Sequence, residues 1–307
     1  MQNRTVEGIR LVGVGAIFID DIVLPDGTTY MNTLGGGVVH ALMGSAIWGE
    51  RAGLCALAGE DLHSDHAARL HRHMDIQGLV TLPLPQARAW QIFEEDGTRR
   101  ELHRVRTIAP FVAGAGPEHL PELYRQAAGL YLLQDFEGIQ RWADFAGFIL
   151  WEPNQLTMLA GTHADFKRAL AGSRVDLVSP NLDEARCIYG DAEPAALVQR
   201  LLDDGAPQVA LRMGEAGSLI ASRSAPQPLH IPAVSVPHVI DHTGAGNTYN
   251  GGLLAGIVAG RTLREAAVMG TVAASYCVAT IGALDPATVS DRDRDRRYQQ
   301  VMMASGT

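Results

Sequence analysis

The sequence predicts an α/β fold built on a parallel sheet, and three observations carry that prediction. Short apolar runs alternate with stretches of helical spacing, prolines punctuate the joins, and a chain of 307 residues can bury about three-quarters of its unfolded surface. In order, strands are expected at residues 9–17, 130–133, 148–151, 175–178 and 209–212, each short and apolar as strands covered on both faces are. Helix spacing occupies residues 160–171, 195–203 and 263–281, and Pro180, Pro207 and Pro237 mark connections. That alternation makes βαβ units in a single domain spanning 1–307, with no internal repeat.

Two stretches break the rhythm. Residues 21–34 carry a Pro25-Asp26-Gly27 turn, and residues 89–107 carry Glu95-Asp96-Gly97 between an apolar run and an arginine-rich one. Each reads as a strand or hairpin, so together they predict a small extra sheet capping the core. The tail from Ser290, alternating Asp and Arg, is expected as a solvated helix or a frayed end.

Hydrophobic residues make up 47% of the chain and charged residues 19%, a balance that excludes disorder as the main state. Twenty-five basic against thirty-four acidic residues leave a net charge of −9, which argues against general affinity for nucleic acid or anionic lipid. Cys55, Cys187 and Cys277 form no CxxC pair, so buried reduced thiols in a cytoplasmic protein are expected. At the N-terminus Glu7 precedes the first apolar run, which ends at Asp20-Asp21 and reads as a buried strand rather than a signal peptide.

The most informative segment is Asp241-His242-Thr243-Gly244-Ala245-Gly246-Asn247-Thr248-Tyr249-Asn250-Gly251-Gly252. It follows a strand-like stretch at 234–240 and leads into a small, apolar, hence buried, helix. Glycines at such a junction let backbone N–H groups converge with the positive end of the helix dipole, and phosphate is the expected ligand. The same glycines also serve a tight turn and close helix packing.

In this segment the chain resembles the ribokinase-like, or PfkB-type, sugar and nucleoside kinases, whose loop has the form D-T-T-G-A-G-D-x-F-x-G-G. Leu34-Gly35-Gly36-Gly37 with His40, followed by Gly59-Glu60-Asp61, is similar to the family's N-terminal signature. Pro180-Asn181-Leu182-Asp183-Glu184 resembles its N-x-x-E motif, and Arg212-Met213-Gly214-Glu215-Ala216-Gly217 its strand entering the nucleotide site. The resemblance implies a three-layer αβα core closed by a β lid, with ATP phosphorylating a hydroxymethyl group of a sugar or sugar-like alcohol. It also implies Mg2+, admits a monovalent cation, and makes a homodimer paired through the lid plausible.

By the same resemblance, Gly244, Ala245 and Gly246 hold the transferring phosphoryl group. Asn181, Arg212, Gly214, Gly217 and Thr243 belong to the nucleotide site, Glu184 reaches Mg2+ through water, and Asp20, Gly35, Gly36 and His40 face the acceptor. Asn247 stands where the family carries the aspartate that takes the acceptor's proton. An asparagine amide accepts no proton at neutral pH, and general-base catalysis is typically worth about 10²–10⁴-fold. Two readings follow: a kinase that relies on positioning, since phosphoryl transfer asks little of a base, or an impaired relative that binds nucleotide or sugar as a sensor or partner. His40, in place of the family's asparagine, either stands in as base or shapes the pocket, and His242 is the other replacement candidate.

Competing patterns are weaker. His63 and His66 share a helix face, but with no HExxH and no cysteine partner a solvated face is the simpler reading. Gly13-Val14-Gly15 lacks the third glycine of a dinucleotide fingerprint, and no GxxxxGK[ST] occurs. Arg99, Arg100, Arg104 and Arg106 read as a solvated strand face that could also meet an anionic substrate.

Overall fold

The computed structural model describes residues 8–96, 98–104 and 108–306. The segment before the first apolar run, Gly97 of the second turn and Arg106 at the end of the second expected lid segment lie outside the described residues.

The core opens with β1 (Leu11–Ala16), from which the chain passes into a hairpin of β2 (Phe18–Val23) and β3 (Thr29–Gly35) outside the core. It returns through α1 (Gly37–Ala46), β4 (Gly53–Gly59), α2 (Ser64–His73) and β5 (Asp75–Leu82), then leaves again as β6 (Arg88–Phe93) and β7 (Arg99–His103). The remainder adds α3 (Ala109–Ala113), β8 (Gly129–Gln134), β9 (Phe148–Pro153), α4 (His163–Ala171), β10 (Leu177–Val178), α5 (Leu182–Tyr189), α6 (Pro194–Asp203), β11 (Gln208–Arg212), β12 (Ser218–Ser222) and β13 (Ala225–Ile231). Three helices close the fold: α7 (Ala245–Val258), α8 (Leu263–Cys277) and α9 (Asp291–Ala304).

The central sheet has the order β13-β12-β11-β10-β9-β8-β1-β4-β5. Strands β11 through β5 run parallel, and β12 and β13 add an antiparallel edge. Side chains alternate across it, so Leu11, Tyr131 and Leu150 join one apolar layer with α1, α7 and α8, while Val12, Leu132 and Trp151 join another with α4, α5 and α6. The result is the expected three-layer α/β/α core. Helix α7 lies deepest because its glycines admit close neighbours: a Cβ on Gly251 would collide with the carbonyl oxygen of Ala41 in α1.

The second sheet, β3-β2-β6-β7, stands apart. It is centred on Asp21, fully buried and bonded by the Asn32 amide at 2.8 Å, Arg88 at 3.0 Å and Arg104. Burial works against that charge, yet these bonds hold the Asp21 carboxyl below the usual carboxylate range. A charge that costs so much to bury is kept by having its partners supplied from β3, β6 and the residue just after β7.

Several expectations shift in the structure. The lid sheet begins at Phe18, so Asp20 lies on a lid strand and not at the end of the first core strand. Residues 234–240 are irregular: Pro232 and Pro237 remove amide donors, and Val239 and Ile240 are exposed. The C-terminal tail is a docked helix, with Arg294 donating to the Ile47 carbonyl, Arg297 to Ser275 and Tyr298 packing on Trp48. Arg104 is exposed, as expected, and its guanidinium also pairs with Asp21. All three cysteines are free, but Cys187 is exposed where burial was expected. His63 caps α2, whose buried stripe is Leu70, and no group of three or more metal-ligating side chains occurs among the described residues.

Candidate active site

A parallel sheet opens a crevice where its strand order reverses, here between β1, which has β4 on one side, and β8 on the other. The cavity lies there, at the carboxyl ends of the strands. Its ≈ 600 Å³ are lined by Ala16 at the end of β1, Leu133 on β8, Glu152 on β9, Asn181 after β10, Arg212 on β11 and the start of α7. The lid contributes Phe18, Asp20, Gln91, Arg99, Glu101 and His103 from the other side.

The floor is the loop before α7. Buried Asp241 accepts from the Thr243 amide at 2.8 Å and the Gly282 amide at 3.3 Å, which pins the loop to the end of α8. Gly244 then adopts φ 74°, the left-handed region that turns the chain into the helix. The amides that follow, at Gly246 and Asn247, have no partner among the described residues, as first-turn amides do not. Thr243 Oγ1 beside them is buried and unpartnered. His242 packs edge-on against Phe93 of the lid at 4.9 Å, and burial pulls its imidazole below its ordinary value.

Arg212 crosses this floor. Its guanidinium rests on Gly246, bonds the Ser179 carbonyl at 2.9 Å and pairs with Glu152 at 2.9 Å and Glu184 at 3.8 Å. Burial opposes that charge, but the two glutamates hold it. Asn181 and Glu184 sit three apart at the start of α5 and cap it reciprocally: the Asn181 amide donates to Glu184 at 2.7 Å and the Glu184 amide to Asn181 at 2.8 Å. Their first task is therefore to fix the helix end that borders the cavity.

On the acceptor side, Asp20 accepts from Gln91 Nε2 at 3.1 Å, and its other oxygen lies against Gly35, where a Cβ would collide. Gln91 Oε1 is buried without a partner. The His40 ring rests on Gly244, its Nδ1 is 3.8 Å from Cys277 Sγ, and its Nε2 is buried and unpartnered. Gly36 lines the cavity, whereas Gly35 and Ala245 stand behind it, and Gly214 and Gly217 do not line it but turn the chain between β11 and β12.

Three members of the site escape a reading of motifs: Tyr131, Glu152 and Asn250. Glu152 Oε2 accepts from Tyr131 at 2.7 Å and from Asn250 at 2.6 Å, and Asn247 Nδ2 donates to the Tyr131 hydroxyl at 3.1 Å. The available signal was a charged residue ending the apolar run 148–151 just before Pro153.

Burial pushes the Asp20 carboxyl up to about 7 and the Glu184 carboxyl up to about 7, and it takes the His40 imidazole down to about 4. Each carboxyl keeps a proton that the unfolded chain loses near pH 4, so its contribution is full below that pH and is lost as pH rises towards 7. His40 has the opposite sign, contributing fully above about pH 6.5 and losing that contribution as pH falls to about 4. Asp20→Asn is therefore expected to tilt stability against pH between 4.5 and 7 upward, by on the order of 1 kcal/mol per pH unit. Melting curves across that range check it, and parallel wild-type and variant curves would return Asp20 to the ordinary range.

Residues 137–289 match the pfkB family carbohydrate kinases. Cytidine kinase from Thermococcus kodakarensis is 29% identical over 278 residues, 85% of this chain and 93% of that protein. Among solved structures, adenosine kinase from Sinorhizobium meliloti aligns over 94% of this chain and 100% of its own with a TM-score of 0.76 at 20% identity. A putative ribokinase II from E. coli in complex with ATP and Mg2+ aligns over 95% of this chain and 99% of its own with a TM-score of 0.74 at 17% identity. The fold, the matched segment and the glycine loop before α7 together place this chain in the pfkB family of carbohydrate kinases, with a ribokinase-like architecture.

Proposed function

We propose that the protein transfers the γ-phosphoryl group of ATP to a hydroxymethyl group of a sugar or nucleoside. One observation carries the reading: the helix start at Gly244–Gly246, with Arg212 across it, opens into the same cavity as Asp20 of the lid. An anion cradle and a hydroxyl-binding carboxylate on opposite walls are what in-line phosphoryl transfer requires, since most of its catalysis is positioning and charge stabilisation. The kinship with a cytidine kinase and the unpartnered Gln91 Oε1 among the lid residues support nucleosides as the first acceptors to try.

The residues also suit Mg2+. That ion keeps several waters and takes one or two carboxylates besides phosphate oxygens, so the absence of a three-ligand cluster among the described residues is no obstacle. Glu184, through water, and Asn181 beside it would hold it. When bound, Mg2+ would neutralise charge developing on the phosphates. Gly214 and Gly217 act at one remove, shaping the turn behind Arg212. A monovalent-cation requirement belongs to the reading and is checked by exchanging potassium for choline.

Incubation with Mg-ATP and a panel of nucleosides, pentoses, hexoses and polyols, followed by mass spectrometry of the products, tests the proposal. A product heavier by one phosphoryl group, with matching ADP, is expected. ADP release unaffected by every acceptor would overturn it.

A homodimer paired through the lid is part of the same proposal. Tyr30 and Met31 on β3 and Leu102 on β7 are exposed on the two edge strands of that sheet, and the mass in solution tests it. A cytoplasmic location rests on the three free thiols, and no helix among the described residues is long and apolar enough to cross a membrane.

A further inference from the structure

A buried chain of polar groups ends on Asn247, and its protons can be counted. Glu152 Oε1 pairs with Arg212 at 2.9 Å, and Oε2 accepts from Tyr131 at 2.7 Å and Asn250 at 2.6 Å. Asn250 Oδ1 lies 2.6 Å from the Ser179 hydroxyl, whose single proton is shared with the Ala210 carbonyl at 3.0 Å. A phenol has one proton, and that of Tyr131 goes to Glu152, so its oxygen offers Asn247 only lone pairs. Asn247 Nδ2 donates to them at 3.1 Å. Burial, and Glu152 beside it, hold the phenol of Tyr131 far above its ordinary value, so the proton stays on tyrosine.

Position 247 therefore requires a donor. A carboxylate there would face the phenol's lone pairs, unless Tyr131 swung its proton over and left Glu152 one hydrogen bond short in a buried site. With Nδ2 committed inward, Oδ1 of Asn247 has no partner among the described residues, and the side chain lines the cavity.

We infer that Tyr131, held by Glu152, is a positioning residue that fixes the Asn247 amide with its carbonyl oxygen toward the cavity, where it accepts the acceptor hydroxyl's hydrogen bond without taking the proton. The inference rests on the phosphotransfer reading. In the step, the acceptor oxygen bonds to the γ-phosphorus as the bond from that phosphorus to the β,γ-bridging oxygen breaks, its electron pair leaving with ADP. The hydroxyl proton passes to an oxygen of the transferred phosphoryl group. A loose transition state places little positive charge on the attacking oxygen until late, so orienting the lone pair matters more than removing the proton. Asn247 is then the matched partner of Tyr131 and Glu152, not a base that has been lost.

Four proteins test this: wild type, Asn247→Asp, Tyr131→Phe and the double variant. Tyr131→Phe is expected to lower kcat about 10- to 100-fold, the scale of a misplaced nucleophile, with the KM for ATP unchanged. Asn247→Asp is expected to lower both kcat and the melting temperature. In the Asn247→Asp background, Tyr131→Phe still strips Glu152 of its donor but also removes the lone-pair repulsion at position 247, so it is expected to cost less, in melting temperature and in kcat, than it costs in the wild type. Should Tyr131→Phe not fold, the order of melting temperatures wild type > Asn247→Ala > Asn247→Asp carries the test, because alanine removes the donor without adding repulsion. Greater activity of Asn247→Asp with Tyr131 in place, or melting shifts that simply add, would overturn the inference. Melting is read without turnover: coupling with no product from any variant upholds the lock and rejects phosphotransfer, while turnover without coupling rejects the lock alone.

Discussion

Gly244→Ala is expected to abolish phosphoryl transfer, lowering kcat/KM by about 10³-fold, the upper range for losing one oriented backbone donor at a developing charge. Two causes add. Gly244 has φ 74°, where a Cβ crowds the following carbonyl at a cost of about 1–2 kcal/mol. The same Cβ would also enter the His40 imidazole, which is walled in by α1 and Cys277 and cannot step back. The loop must then shift, and the amides of Gly246 and Asn247 turn away from the phosphate. Steady-state kinetics, with circular dichroism and calorimetric ATP titration on the same sample, check this. A folded variant within fivefold of wild type would remove the anion cradle from the mechanism.

Arg212→Leu is expected to destabilise the fold by about 3–5 kcal/mol, because it strands Glu152 and Glu184 in a buried site with no compensating charge. For a chain of this size that is a fall in melting temperature on the order of 5–8 °C. The loss has a pH signature. Burial already holds Glu184 up to about 7 against the pull of Arg212, and without the guanidinium that carboxyl moves further above its unfolded value. Its protonated form is then the stable one, so the variant's deficit should be smallest near pH 5 and grow as pH rises to 8. Arg212→Lys restores charge but not the planar fork that spans the Ser179 carbonyl and Glu152, and should recover stability only in part. A deficit independent of pH would mean that the protonation of Glu184 does not depend on Arg212.

Much of the fold is legible in local pattern because it follows from local causes. Runs such as 148–151 and 209–212 are strands since only a sheet covered on both faces keeps them from water, and β9 and β11 lie where those runs predict. Residues 234–240 failed by the same logic: an apolar run interrupted at Pro237 cannot complete a ladder, and the structure gives it none. Helix α9 misled in the other direction. Its Asp-Arg alternation looks solvated, but arginine stems cover apolar surface while their heads reach Ile47 and Ser275.

The site divides along the same line. The sequence by itself determined the glycine turn before α7 and the chain's kinship, because each is written in residues a few positions apart, while the reciprocal cap of Asn181 and Glu184 is equally local but reads there only as a ligand motif. Only the tertiary structure decided that Asp20 belongs to the lid, that Arg212 lies on Gly246, and that Asn247 meets Tyr131 and Glu152 from two neighbouring strands. The physical reason is that a turn or a cap is satisfied by its own neighbours. The direction of a buried hydrogen bond depends on how many protons the surrounding groups hold, and those groups arrive from β8, β9, β11 and α7 only when the chain has folded.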